Sequence, residues 1–174
     1  DQLWFNAETN VIFDEQGLIE SGTLVDGRDI ELKNIILLEK NRLLTIPGGK
    51  KIEFKENSRI LKNKKGEVIY GTSTEDHECF NIALGRGIWF KKGHPLLIDS
   101  KGNIRVGVLL RNSEFMMILN EDSIWMKKNF SVLLDQKGRI RFGTLLEDDI
   151  WLEAANGKMY RQDEGTPVFF DPEG

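Results

Sequence analysis

Four consecutive residues, Asp76, His77, Glu78 and Cys79, are of the types that ligate metal ions. On a β-strand, however, His77 and Cys79 would face one side of the sheet while the two carboxylates faced the other. A zinc site needs four ligands, or three ligands and a water. The only other histidine, His94, has no ligand pattern around it. The sequence therefore predicts no metal site here.

Acidic residues are the remaining candidates for chemistry. The run 147–149, of one Glu and two Asp, is an acidic loop tip that lacks the spaced oxygen ligands of a calcium loop. With two histidines, one cysteine and no nucleophile elbow, the common hydrolase constellations are missing. We predict a protein without catalytic activity and without a cofactor. A polysaccharide hydrolase with paired carboxylates is an alternative.

Three tryptophans, Trp4, Trp89 and Trp125, each stand 13 residues before a glycine that ends a turn. Their neighbours alternate with them, so the tryptophans should point to the opposite face of their strand. An exposed face would give a row of flat apolar platforms for sugars or a partner protein. The alternative is that the tryptophans pack in the core between repeat units, and we favour it because they recur at one position of the repeat. Glu53 fills the same register, which favours an accessible face there.

Two lysine pairs also stand 36 residues apart: Lys91 and Lys92, then Lys127 and Lys128. In stacked repeats they would form a cationic row suited to anionic polysaccharide or lipid headgroups. The alternative, which we favour, is a solvated strand end that discourages edge-to-edge pairing. The tryptophans and lysines together are the candidate binding residues.

One short sequence motif, present as DQKGRIRFGTL at 135–145, recurs along the chain and accounts for the spacing of the tryptophans and lysines. Its turn glycines are separated by 49, 36, 36 and 36 residues; they are Gly17, Gly66, Gly102, Gly138 and Gly174. Asp, Asn or Ser followed three residues later by Gly is typical of a type I β-turn. We predict a single β-repeat domain over 1–174, with units at about 1–17 (partial), 18–66 (with an insertion), 67–102, 103–138 and 139–174.

Each unit reads as four short strands. Alternating apolar positions follow every turn, and no segment carries a capped helical stripe. We predict an all-β, antiparallel meander of four to five units, as an open array, with a closed propeller or barrel as the alternative. The 13 extra residues of the first unit predict an additional hairpin that turns at 39–42, or a short helix. A second glycine in each copy of the motif predicts a bulge, a bend or a close approach of another backbone; these glycines are Gly22, Gly71, Gly107 and Gly143.

Composition limits the possible partners. The net charge of −4 argues against a general nucleic-acid binder. No apolar run reaches the roughly 20 residues that span a bilayer as a helix. The single cysteine excludes an internal disulfide. The oligomeric state is left open by the sequence.

The pattern F-x-x-x-G-x-x-x-x-G-T-L, present as Phe13, Gly17, Gly22, Thr23 and Leu24, resembles tandem-repeat proteins of bacterial cell envelopes. It is more distantly similar to MORN-type repeats, although the period is longer and their Tyr-x-Gly signature is missing. The resemblance implies a binding or structural role at an extracytoplasmic location: cell surface, periplasm or secreted. We therefore predict a non-enzymatic binding or structural repeat domain that contacts protein or glycan through exposed strand faces. A carbohydrate-binding module is the nearest alternative.

Overall fold

The computed structural model describes residues 12–13, 19–23, 29–31, 35–117, 122–153 and 158–170. Within these ranges every regular element is a β-strand, all strand pairs are antiparallel, and there is no helix. The predicted fold class, all-β and antiparallel, is confirmed.

The strands are short, as expected of a chain with a turn glycine in every repeat. They are β1 Ile12–Phe13, β2 Ile19–Thr23, β3 Asp29–Glu31, β4 Ile35–Leu37, β5 Arg42–Thr45, β6 Lys51–Phe54, β7 Arg59–Lys62, β8 Val68–Thr72, β9 His77–Asn81, β10 Arg86–Phe90, β11 Pro95–Ile98, β12 Ile104–Val108, β13 Ser113–Met116, β14 Ser123–Met126, β15 Ser131–Leu134, β16 Ile140–Thr144, β17 Ile150–Glu153, β18 Met159–Gln162 and β19 Pro167–Phe169.

The chain divides into two compact units. The first comprises Asp1–Thr74 and Pro95–Gly102, and the second comprises Glu75–His94 and Asn103–Gly174. In the first unit the sheet strands run in the order β11-β8-β7-β4, β5 pairs with β6, and β1, β2 and β3 form a small sheet. In the second unit the sheet strands run in the order β19-β16-β15-β12. Neither order returns to its first strand, so neither group closes into a barrel.

Among the described residues, four two-stranded hairpins lie outside these sheets, and we call them the outer hairpins: β5–β6, β9–β10, β13–β14 and β17–β18. Each repeat thus sends two strands to a sheet and two to an outer hairpin. Single antiparallel bridges connect the outer hairpins to residues that follow the sheet strands. Phe90 pairs with Leu109, and one repeat later Met126 pairs with Leu145.

The repeated turns have the predicted geometry. Gly66, Gly102 and Gly138 have φ values of 80°, 88° and 84°. Each donates its N–H to the carbonyl oxygen three residues earlier, at 2.9, 3.0 and 3.0 Å. This hydrogen bond is typical of a β-turn. The glycine that donates it has a left-handed backbone conformation, which glycine adopts without steric strain because it has no side chain. The corresponding turns that contain Gly17 and Gly174 lie outside the described residues.

A second left-handed position recurs with the same 36-residue period, and the sequence analysis missed it. Asn57, Gly93, Asn129 and Gly165 have φ values of 54°, 75°, 67° and 82°. They end the turn that carries each outer hairpin back to a sheet strand. The signal is Asn or Gly at one register, the two residue types that best tolerate this conformation.

The strand glycines mark a close approach. A Cβ on Gly71 would lie 2.6 Å from Cδ1 of Phe54, and a Cβ on Gly143 would lie 2.6 Å from Sδ of Met126. The register shifts lie elsewhere, next to the turns at Leu61 and Leu133. The predicted close approach of another backbone is wrong at Gly71 and Gly143, because the atoms that come close belong to side chains.

The predicted extra hairpin at 39–42 is wrong. β4 and β5 flank this bend, but β4 pairs with β7 and β5 pairs with β6. The alternative of a helix is also excluded for these residues. Leu38, at the bend, is instead the counterpart of Leu109 and Leu145. All three are buried, and each donates its N–H to a carbonyl 20 or 21 residues later.

Candidate functional site

Two outer hairpins of the second unit position Trp89 and Trp125. Trp89 of β10 lies opposite Glu78 of β9, and Trp125 of β14 lies opposite Glu114 of β13. Their strand neighbours, such as Ile88 at 2% exposure, are buried on the other side. The tryptophans themselves are half-buried. They therefore point away from the core, as the alternation predicts.

An arginine lies over each tryptophan. The guanidinium carbon of Arg111 is 5.1 Å from the ring centroid of Trp89, and that of Arg86 is 5.9 Å from the ring centroid of Trp125. These distances are within the range of cation–π attraction. Each indole ring is thus held between its strand and a cation.

Glu114 holds Arg86 in place. The Arg86 guanidinium donates to Oε2 of Glu114 at 2.8 Å, and the Ser123 hydroxyl donates to Oε1. The hydrogen bond from Ser123, with a smaller contribution from the charge of Arg86, lowers the pKa of the Glu114 carboxyl. The carboxylate is therefore ionised at neutral pH and fixes the guanidinium against the Trp125 ring.

A large exposed apolar side chain extends this surface. Phe80 is 62% exposed and lies two residues after Glu78, on the same side of β9. Gly87 lies opposite Phe80, and its missing side chain leaves room for the Glu78 carboxylate. We call this surface the aromatic–arginine face: Glu78, Phe80, Arg86, Trp89, Arg111, Glu114, Ser123 and Trp125.

Two of the four candidate lysines are bonded within the chain. Nζ of Lys91 donates to Oδ1 of Asn129 at 2.9 Å, and Nζ of Lys127 donates to Glu164 at 2.7 Å. Lys92 and Lys128 are exposed. Each of these two lysines therefore bonds to the turn one repeat later, and the cationic row stays a prediction.

The acidic candidates have a local structural role. Oδ1 of Asp76 accepts the backbone N–H of Lys92 at 2.7 Å, and Oδ1 of Asp148 accepts that of Glu164 at 2.8 Å. Asn112 and Asn41 make the same bond to Lys128 and Glu56. Within the part of the chain that the structure describes, no cluster of three or more His, Cys, Asp or Glu could hold a metal ion.

A small pocket lies on the opposite side of β9–β10, within the second unit. Its lining includes Cys79, Ile88, Arg105, Gln136 and Gly138. Its interior of about 20 Å³ has room for little more than one water molecule. This pocket is too small for an organic substrate.

Other predicted site residues have mixed outcomes. Trp4 lies outside the described residues. Glu53, in the tryptophan register of the first unit, accepts a hydrogen bond from the Thr74 hydroxyl at 2.6 Å. Sequence reasoning missed Arg86, Arg111 and Glu114. Of these, only Glu114 could have been found from the sequence, because Glu78 stands one repeat of 36 residues before it and marks the same register.

Comparisons of the chain with protein-family models, curated proteins and solved structures found no match. Across the described ranges, no helix has the length and apolar character needed to cross a membrane.

Proposed function

We propose that this chain is a non-enzymatic binding module that contacts a partner protein through the aromatic–arginine face. We place it among the tandem-repeat proteins of bacterial cell envelopes, outside the cytoplasm, because of the glycine-turn pattern it shares with them. One observation carries the proposal of a protein partner. Each half-exposed tryptophan has an arginine over its ring, and one of those arginines is fixed by Glu114.

Such an arrangement suits protein recognition. Tryptophan and arginine are enriched among the residues that contribute most binding energy at protein interfaces. Because Arg86 and Trp125 already hold each other, little side-chain entropy is lost when a partner binds them. Phe80 adds apolar area that a partner would remove from water.

A sugar is less well matched to this face. A sugar platform requires an open ring face, and the guanidinium of Arg111 or Arg86 occupies one face of each tryptophan. A carbohydrate-binding module is therefore the second candidate. The experiment below distinguishes it.

The test uses two probes on the folded protein: a phage-displayed random peptide library and a glycan array. We expect peptides to bind, and Trp89→Ala with Trp125→Ala to weaken the selected peptides by about 30-fold or more, as expected for two hot-spot residues. Trp151→Ala is the matched control, because Trp151 is an exposed tryptophan on a different outer hairpin. Circular dichroism checks that each variant stays folded.

Two outcomes would count against a protein partner. One is glycan binding that the double variant removes while no peptide is selected. The other is peptide binding that Trp151→Ala weakens as much as the double variant does.

A further inference from the structure

The two arginines of the aromatic–arginine face differ in whether a carboxylate holds them. Arg86 is ion-paired with Glu114 at 2.8 Å, so its charge is already balanced within the chain. Arg111 is exposed, and it forms no ion pair with any residue that the structure describes. The face therefore carries one guanidinium whose charge is open to a partner.

Glu78 stands one repeat before Glu114 but does not hold Arg111. A Cβ on Gly87 would overlap the carboxylate of Glu78, so this carboxylate lies over the backbone at Gly87, toward the tip of the hairpin. One repeat later the position of Gly87 is taken by Ser123, whose hydroxyl donates to Glu114. The glycine thus gives Glu78 a place that Glu114 does not have.

The backbone around Arg111 is fixed on both sides. The N–H of Leu110 donates to the carbonyl oxygen of Trp89 at 2.9 Å, and the hydroxyl of Ser113 donates to the carbonyl oxygen of Arg111 at 3.0 Å. The guanidinium carries five N–H donors in one plane, and the single ring near its central carbon cannot occupy all of them. A planar cation held in this way suits a carboxylate, which accepts two parallel N–H bonds.

We propose that the protein partner presents a carboxylate to Arg111 and a large apolar side chain to Phe80, both from one extended segment. This inference rests on the proposed function, because it names the chemistry of the partner at the same face. Opposite charge is the argument for the carboxylate at Arg111. The 62% exposure of Phe80 is the argument for the apolar side chain.

The geometry of the hairpin sets the spacing of these two groups. Trp89 lies opposite Glu78, and Phe80 lies two residues further along β9, so Trp89 and Phe80 are diagonal neighbours. Diagonal neighbours across a pair of strands are about 7–8 Å apart. Because an extended chain rises about 3.3 Å per residue, the carboxylate and the apolar side chain should be about two to three residues apart in the partner.

Glu78 restricts the carboxylate to one end of the segment. Its own carboxylate lies over Gly87, which pairs with Phe80. An acidic group beside Phe80 would be repelled, whereas an acidic group at Arg111 would be attracted. The partner segment therefore carries its acidic residue at the Arg111 end and is not acidic throughout.

The test begins with the phage-displayed random peptide library, selected in parallel on the unaltered chain and on Arg111→Gln. Peptides selected on the unaltered chain should share one Asp or Glu about two to three residues from a large apolar residue. Peptides selected on Arg111→Gln should lack the shared acidic residue. The matched control is Lys64→Gln, which removes the same charge at an exposed position in the first unit and should select the acidic residue as before.

A double-mutant cycle with one synthesised peptide then measures the ion pair itself. Replacing the acidic residue by its amide should weaken binding to the unaltered chain by about 10-fold. The same replacement should change binding to Arg111→Gln little, because its partner is already absent. Added salt should weaken peptide binding to the unaltered chain more than to Arg111→Gln.

The outcomes separate this inference from the proposed function. Peptides that bind through Trp89 and Trp125 without a shared acidic residue, or with one that is not coupled to Arg111, overturn the inference and leave the binding face in place. Failure to select any peptide overturns both. Acidic glycans that bind through Arg111 when no peptide is selected overturn both as well, because they assign the guanidinium to a sugar.

Discussion

At the scale of single residues, the clearest finding is a repeated side-chain cap. Asp76, Asn112 and Asp148 stand 36 residues apart, and each accepts a backbone N–H 16 residues later. The accepting oxygen satisfies an amide in the turn that leaves an outer hairpin, and asparagine serves as well as aspartate. The cap gives the acidic residue beside His77 a structural role.

This cap predicts a difference between two substitutions at one position. Asp76→Ala removes the acceptor of the Lys92 amide and should lower the free energy of unfolding by about 1 kcal/mol. Asp76→Asn keeps Oδ1 and should change stability little. Urea unfolding of the two variants measures this. Equal loss in both variants would mean that the charge of Asp76, and not its acceptor oxygen, matters.

His77 gives a pH dependence with a defined sign. Burial lowers its pKa below the ordinary 6.5, and the charges of Glu75 and Asp76 oppose this only in part. The unfolded chain therefore binds the proton more readily than the folded chain does. The contribution of His77 to stability should be full above pH 6.5 and should fall as the pH drops from there through the lower, folded pKa.

The matched variant is His77→Gln, which cannot titrate. Its free energy of unfolding, measured from about pH 8 to about pH 5, should decline less than that of the unaltered chain. Parallel curves for the two proteins would show that the histidine is not responsible.

At the scale of elements, glycine sets how closely an outer hairpin packs on its sheet. Phe54 of β6 lies against Gly71 of β8, and Met126 of β14 lies against Gly143 of β16. Phe54 and Met126 are both fully buried. The side chain that meets the glycine differs in stiffness between the two sites, because an aromatic ring cannot move aside within a packed core as a thioether can.

We therefore predict that Gly71→Ala destabilises more than Gly143→Ala. The added methyl at 71 would meet Phe54 at 2.6 Å and Ile60 at 2.9 Å, both fully buried, and should cost about 1–3 kcal/mol. At 143 the closest atom is the flexible sulfur of Met126. A double-mutant cycle by urea unfolding, with Phe54→Leu as the second change, should show that the smaller side chain recovers part of the loss. Strict additivity would refute the close-packing explanation.

At the scale of the whole molecule, the predictions succeeded where structure is determined locally. The turn glycines are positions that need a left-handed backbone, so Gly66, Gly102 and Gly138 could be identified from residue type and spacing. The strands between them follow from alternation. Both signals depend on residues that are close in sequence.

The failures concern contacts between distant segments. The departure of outer hairpins from the sheets depends on contacts such as Asn81 with Gly138, 57 residues away, which no local pattern encodes. Arg86 and Arg111 were missed because they reach tryptophans on other strands and have no counterpart one repeat later. The error at 39–42 came from pairing two strands that are adjacent in sequence, whereas each pairs elsewhere.

The tip of the outer hairpin β5–β6 lies against a turn that comes much later in the chain, because a Cβ on Gly102 would lie 2.2 Å from the carbonyl oxygen of Pro47. This order has a consequence for biosynthesis. Pro47 leaves the ribosome 55 residues before Gly102, which at roughly 5–20 residues per second is a delay of about 3–11 s. During that interval the tip of the nascent β5–β6 hairpin has no turn to pack on, whereas Phe54 of β6 can pack on Gly71 as soon as β8 has been made. Translation speed between Pro47 and Gly102 therefore sets how long the hairpin tip stays open to solvent or to chaperones.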